Sequence, residues 1–154
     1  MLLHIRSGES YHVSFLALQP YDIEEQMSDW EEAFDWSVYF GRNGIEVYKM
    51  VIRGNGVVQG AIALEIKQDH IWIHLIESVP SERKEFDLIG EHLMAYACKR
   101  SKELGFDGVV AFHSKKKQRL MQYYTNVIGA SHVGGGLMVI DERAAERLAM
   151  LYLT

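Results

Sequence analysis

Along the chain, the hydrophobic pattern changes period near residue 84. Before that point, short apolar runs predict strands. The first is 11–18, which Pro20 ends. The second, 45–53, carries Ile45, Val47, Tyr48, Met50 and Ile52, and the third, 57–66, carries Val57, Val58, Ala61, Ile62, Leu64 and Ile66. Gly54-Asn55-Gly56 lies between these two, and Gly and Asn readily take positive φ, so this is a hairpin signal. The fourth strand, 70–77, is mostly apolar on both faces, as in a central strand covered on both sides. Between the first two strands, residues 22–40 are acidic and aromatic. Ile23, Met27, Trp30 and Phe34 recur at helical steps there, predicting a helix in one piece or two. That segment either covers a sheet or forms a lip whose carboxylates attract an amine.

After the change of period, Phe86, Ile89, Leu93, Ala97 and Leu104 predict a helix over 84–104, closed by Gly105 as a left-handed C′ residue. A short apolar strand follows at 108–112, so 70–112 reads as a βαβ crossover with a parallel strand pair. A second helix is expected at 116–127, ended by Gly129. Gly134-Gly135-Gly136 lead into a strand at 137–140, and Asp141 N-caps a last helix. The expected fold class is α/β (α+β): one domain over 1–154, with a mixed, mostly antiparallel sheet, a central parallel crossover and helices on both faces.

Composition narrows the function classes. The net charge of −5 gives no general attraction to nucleic acid or to an anionic membrane. The lone cysteine, Cys98, excludes an intrachain disulfide and favours a reducing, cytoplasmic setting, with no membrane span expected. No metal is expected, since His70 and His74 on one strand lie about 13 Å apart. Lys115, Lys116 and Lys117 form either a solvated surface or a local phosphate contact.

Four local features resemble the GCN5-related N-acetyltransferases (GNAT) over roughly residues 45–140. Val57-Val58-Gln59-Gly60-Ala61-Ile62 looks like the family's third strand. Ile76-Glu77-Ser78-Val79-Pro80 matches the end of its fourth, where backbone groups hold acetyl-CoA. The resemblance assigns those contacts to Ser78 and Val79, and the general-base role to Glu77, since a protonated amine cannot attack a thioester. Glu85-Phe86-Asp87-Leu88-Ile89-Gly90 aligns with the phosphate loop Gln/Arg-x-x-Gly-x-Gly/Ala, with Ile89, Gly90 and Glu91 at the helix start. Glu85 and Leu88 replace the polar residue and the first glycine. Finally, Phe112-His113-Ser114-Lys115 and Tyr123-Tyr124 match the next strand and helix. Ser114 and Lys115 would contact the cofactor. Tyr124 is the closest match to the tyrosine that protonates the departing thiolate, with adjacent Tyr123 as the alternative, because Tyr124 stands one residue farther from Gly129 than the usual Tyr-x-x-x-Gly. His113 is an alternative base.

The resemblance implies transfer of an acetyl group from acetyl-CoA to a primary amine on a small molecule or peptide, by a monomer or homodimer. The departures at Glu85 and Leu88 keep a second function open: an acetyltransferase fold used for binding or regulation without catalysis.

Overall fold

The computed structural model describes residues 1–154. Strands β1 (Leu2–His4) and β2 (Ser10–Tyr11) open the chain, followed by β3 (Val13–Ala17) and helix α1 (Pro20–Gln26). Next come β4 (Ile45–Ile52), β5 (Gly60–Ile66), β6 (Ile71–Ser78) and the short β7 (Phe86–Asp87). Helix α2 (Ile89–Glu103) leads to β8 (Val110–His113) and α3 (Gln118–Tyr123). The chain ends with β9 (Ser131–His132), β10 (Leu137–Ile140) and α4 (Glu142–Tyr152). Seven strands form the main sheet in the order β3-β4-β5-β6-β8-β10-β9, and only β6 and β8 run parallel. The expected mixed sheet with one central crossover is therefore present.

Alternation along β4 sends helices to both faces. The Tyr48 ring packs against Tyr96 of α2, whose other side stacks on Phe15 at 4.2 Å. Its neighbour Lys49 points to the opposite face and pairs with Asp22 of α1 at 2.9 Å. Asp22 is buried and also accepts the Gln19 N–H, so its charge is doubly compensated. Asp141 caps α4 by accepting from Ala144 N–H, and Gly105 ends the α2 segment at φ +86°, both as the pattern predicts.

Five element boundaries differ from the pattern. The strand expected over 11–18 is split, with Tyr11 in β2 beside β1 and only Val13–Ala17 in the main sheet as β3. The helix expected over 84–104 begins at Ile89, because Leu88 at φ +74° breaks it and Phe86–Asp87 pair with β1 instead. The 22–40 segment is helical only at Pro20–Gln26 and in a 3₁₀ turn at Trp36–Tyr39. The third strand starts at Gly60 rather than 57, so the hairpin loop is longer than its Gly-Asn-Gly core. The helix expected at 116–127 starts at Gln118 and passes into a π turn at Tyr124–Ile128. The pattern did not reveal the small β2-β1-β7 sheet. Its strands are two or three residues long, too short for a period to register.

Cys98 is buried on α2, and burial pushes its thiol pKa up to about 12, which marks it as a packing residue. Gly60 sets the distance between sheet and helix: a Cβ there would lie 2.8 Å from Ile89 Cγ2 and 2.9 Å from Leu93 Cδ1. Gly60→Ala should therefore destabilise the protein by about 1–3 kcal/mol through overpacking, read as a lower midpoint in thermal or urea unfolding.

Candidate functional site

The site is built where β6 loses its neighbour. The parallel ladder pairs Ile71, Ile73 and the residue between them with Val110–Phe112, and then stops. On the other side, the β5 register jumps from Leu64↔Ile73 to Ala63↔Leu75, leaving His74 as a bulge. From His74 to Ser78, β6 therefore pairs with β5 alone, and a gap opens towards β8.

The hydrogen-bond phase decides which groups face that gap. Val79 N–H donates to Gln59 C=O at 2.9 Å, which marks 59/79 as a bonded pair. Alternation makes Ala61/Glu77 the next bonded pair, so the N–H and C=O of Ile76 and Ser78 point away from β5, into the gap. Ser78, a residue the resemblance assigns to the cofactor, is one of these two gap-facing residues. The Val79 amide is committed to Gln59, and Ile76 takes its place as the second gap-facing residue.

Side-chain phase places the chemistry. Lys49, Ala61 and Glu77 form one cross-strand row, so Glu77 lies on the α1 face. Its Oε2 accepts the Glu31 N–H and its Oε1 accepts the Trp36 indole N–H, each at 2.7 Å. Each oxygen keeps a further lone pair. Glu77 thereby anchors the 31–36 segment, which continues towards the β8 side, where Lys115 Nζ lies 5.9 Å from the Phe34 ring centroid. Asp29, Glu31, Glu32, Glu77 and Glu82 line a surface cavity of about 360 Å³ at this end of β6.

The opposite face carries the tyrosines. Tyr124 packs edge-on against Phe112, the last β8 residue paired with β6, at 4.7 Å. Burial raises its pKa above the ordinary tyrosine value. The π turn that begins at Tyr124 absorbs the extra residue before Gly129, whose N–H bonds to Tyr124 C=O. Tyr123 takes a different role: its hydroxyl donates to Glu91 in the first turn of α2, beside Gly90. Burial, then that carboxylate, hold the Tyr123 pKa far above its usual range. Ser114 is buried, its N–H given to Gly136 C=O and its Oγ–H to Lys115 C=O. His113 bonds through Nε2 to Gly135 C=O and lies against Gly136.

At the head of α2, Leu88, at the position where the phosphate-loop pattern has its first glycine, is left-handed. For an L-residue this costs about 1–2 kcal/mol. No side chain caps the helix, so the amides of its first turn have no side-chain partner. Ile89 is buried beneath Gly60, leaving backbone rather than side chain to form the loop surface. His92, one turn on, is fully buried and its Nδ1 donates to Leu88 C=O at 2.7 Å.

The fold as a whole superposes on solved acetyltransferase structures. A spermidine N-acetyltransferase variant from Vibrio cholerae superposes with a TM-score of 0.65 at 12% identity, covering 87% of this chain and 96% of that one. The chain has the GNAT fold. A domain from Methanocaldococcus jannaschii matches equally well, with a TM-score of 0.65, 14% identity and coverage of 85% and 99%. An acetyltransferase from Bacillus subtilis in complex with CoA gives a TM-score of 0.53 at 13% identity, covering 86% and 99%. The sequence itself matches no family model and no curated protein.

Against the GNAT pattern, sequence reasoning missed Ile76, Trp36, Glu31 and His92. Ile76 depends on hydrogen-bond phase across a bulge, and Trp36 and Glu31 on a tertiary contact with no local signal. Two predictions follow from this geometry. Glu77→Ala should release the 31–36 segment, so a glutamate-specific protease should cut at Glu31 and Glu32 several-fold faster than in the wild type. Burial lowers the His92 pKa to about 4, from an ordinary value near 6.5. Between those values the unfolded chain binds a proton that the folded chain excludes, so stability should fall as pH drops through this window. Urea midpoints measured against pH should show that slope, and His92→Leu should flatten it.

Proposed function

We propose that the protein is an acetyl-CoA-dependent N-acetyltransferase acting on a primary amine. The observation that carries this reading is the gap itself. Ile76 and Ser78 present unpaired backbone groups to it, with Glu77 on one face and Tyr124 on the other. A pantetheine chain is an extended amide ligand, and a strand edge released from its partner is a matching surface for it. The uncapped first turn of α2, preceded by left-handed Leu88, supplies the amides for a diphosphate.

The chemistry divides between the two faces. Glu77 accepts a proton from the ammonium of the acceptor, freeing the nitrogen lone pair. That nitrogen forms a bond to the acetyl carbonyl carbon, and a gap-facing N–H polarises the carbonyl oxygen. As the tetrahedral species collapses, the C–S bond breaks, Tyr124 gives its proton to the thiolate, and the surplus proton on the new amide nitrogen passes through water to restore the tyrosine. The raised pKa of Tyr124 keeps its proton in place until that step. The carboxylates around Glu77 suit an acceptor that arrives as a cation.

One observation favours the second function, a non-catalytic binding module. Glu85, Asp87 and Glu91 all stand around the head of α2, and Glu91 is tied to Tyr123 where phosphate amides would be expected. Titration of acetyl-CoA by calorimetry separates the two. The enzyme reading expects a dissociation constant on the order of micromolar. Leu88→Glu should weaken binding at least tenfold by placing a carboxylate at the diphosphate, while Glu77→Gln and Tyr124→Phe bind normally but turn over slowly. No heat and no thermal stabilisation at about millimolar CoA would sink the enzyme reading in favour of the module.

A further inference from the structure

Leu88 poses a local question. Its φ of +74° is ordinary for glycine and unfavourable for leucine, and no side chain caps the helix behind it. Something must over-determine that conformation for it to persist. The Leu88 carbonyl accepts two hydrogen bonds: the backbone N–H of His92 at 3.1 Å, common to any helix, and His92 Nδ1–H at 2.7 Å, which is particular to this chain. The imidazole has no room to swing away. It is fully buried, and its centroid lies 5.2 Å from the Tyr152 ring of α4.

The second ring nitrogen sharpens the point. His92 Nε2 is buried without a well-formed hydrogen bond, and the ring lies near the Met1 backbone and the N-terminal ammonium. A poorly bonded polar atom in a core is destabilising, and a leucine would fill similar space without one. The residue is explained by what Nδ1 does. With Nδ1 donating, Nε2 is left as the unprotonated nitrogen, so the pin is a neutral donor.

We propose that His92 is a positioning residue that pins the Leu88 carbonyl and so holds the loop before α2 in the left-handed shape that glycine adopts unaided. The bond fixes where the Leu88 carbonyl points. Residue 88 cannot return to negative φ without rotating the flanking peptide planes and breaking it. The loop amides thereby keep a phosphate-binding arrangement although residue 88 is not glycine. The consequence for ligand binding rests on the acetyl-CoA reading above; the pinning itself does not.

The test has two arms, applied to His92→Leu, Leu88→Gly and the double variant. NMR reads the conformation, because positive φ brings the amide and α protons of one residue close and gives a strong intraresidue NOE. That NOE should be strong at Leu88 in the wild type and weak in His92→Leu. Calorimetry with CoA reads the consequence. Affinity should fall about tenfold in His92→Leu, stay within about threefold of wild type in Leu88→Gly, and return to that range in the double variant. A purely structural role for His92 would leave the double variant as weak as the single one. A strong Leu88 NOE in His92→Leu, or no recovery in the double variant, overturns the proposal. If His92→Leu does not fold, the folded double variant still decides the matter by its CoA affinity. Loss of the NOE in a protein that never binds CoA would uphold the pin and reject the acetyl-CoA reading.

Discussion

The end of one strand pairing organises everything else. Had β6 stayed paired with β8 beyond Ile73, its backbone groups would be saturated and the sheet closed. The bulge at His74 bends β6 away and reverses the phase of the residues that follow. That reversal sends the Ile76 and Ser78 backbone groups into the gap and the Glu77 side chain to the α1 face. Gly60 then lets α2 settle close against the sheet, which brings the helix N-terminus beside the opening. The gap and the placement of Glu77 beside it are thus consequences of one departure from regular pairing.

Much of this was legible from residue patterns because the elements involved are long. The main-sheet strands other than the two-residue β9, the crossover and the caps at Asp141 and Gly105 follow from period and end signals. The boundaries that moved did so where a tertiary contact overrode local preference. Phe86 fits the apolar stripe of a helix, yet it lies in β7 because β1 offers backbone partners and Leu88 turns the chain. Trp36 fits a helical stripe only loosely, and it is buried because its N–H meets Glu77. No spacing rule links residue 36 to residue 77.

The candidate site was legible as residue types but not as roles. Glu77 and Tyr124 were placed by resemblance, and the register now gives each a face of the sheet. Tyr123 and Tyr124 are neighbours in sequence, and the hydrogen bond to Glu91 distinguishes them. A tyrosine already bonded to a carboxylate is a poor proton donor to anything else, whereas Tyr124 has only the ring contacts of Phe112 and Tyr123 around it. The extra residue before Gly129, which weakens a motif match, becomes a π turn without displacing Tyr124 from the helix end.

The irregularities of this chain are unevenly distributed. The bulge at His74, left-handed Leu88, the π turn from Tyr124 and the positive-φ run Gly134–Gly136 all lie around the gap between β6 and β8 or the loops that border it. Asp107, at φ +57° in the tight turn between α2 and β8, lies apart from them, as do positive-φ glycines in other turns such as Gly41, Gly44 and Gly54. A fold kept only as an inert scaffold gains stability by regularising such places, since each costs free energy and none is needed to bury the core. Leu88 is the clearest case. A leucine holds a conformation that glycine adopts freely, with a buried histidine bonded to its carbonyl. A strained shape held by a residue that does not favour it, and braced by a buried hydrogen bond, points to a loop whose shape is constrained.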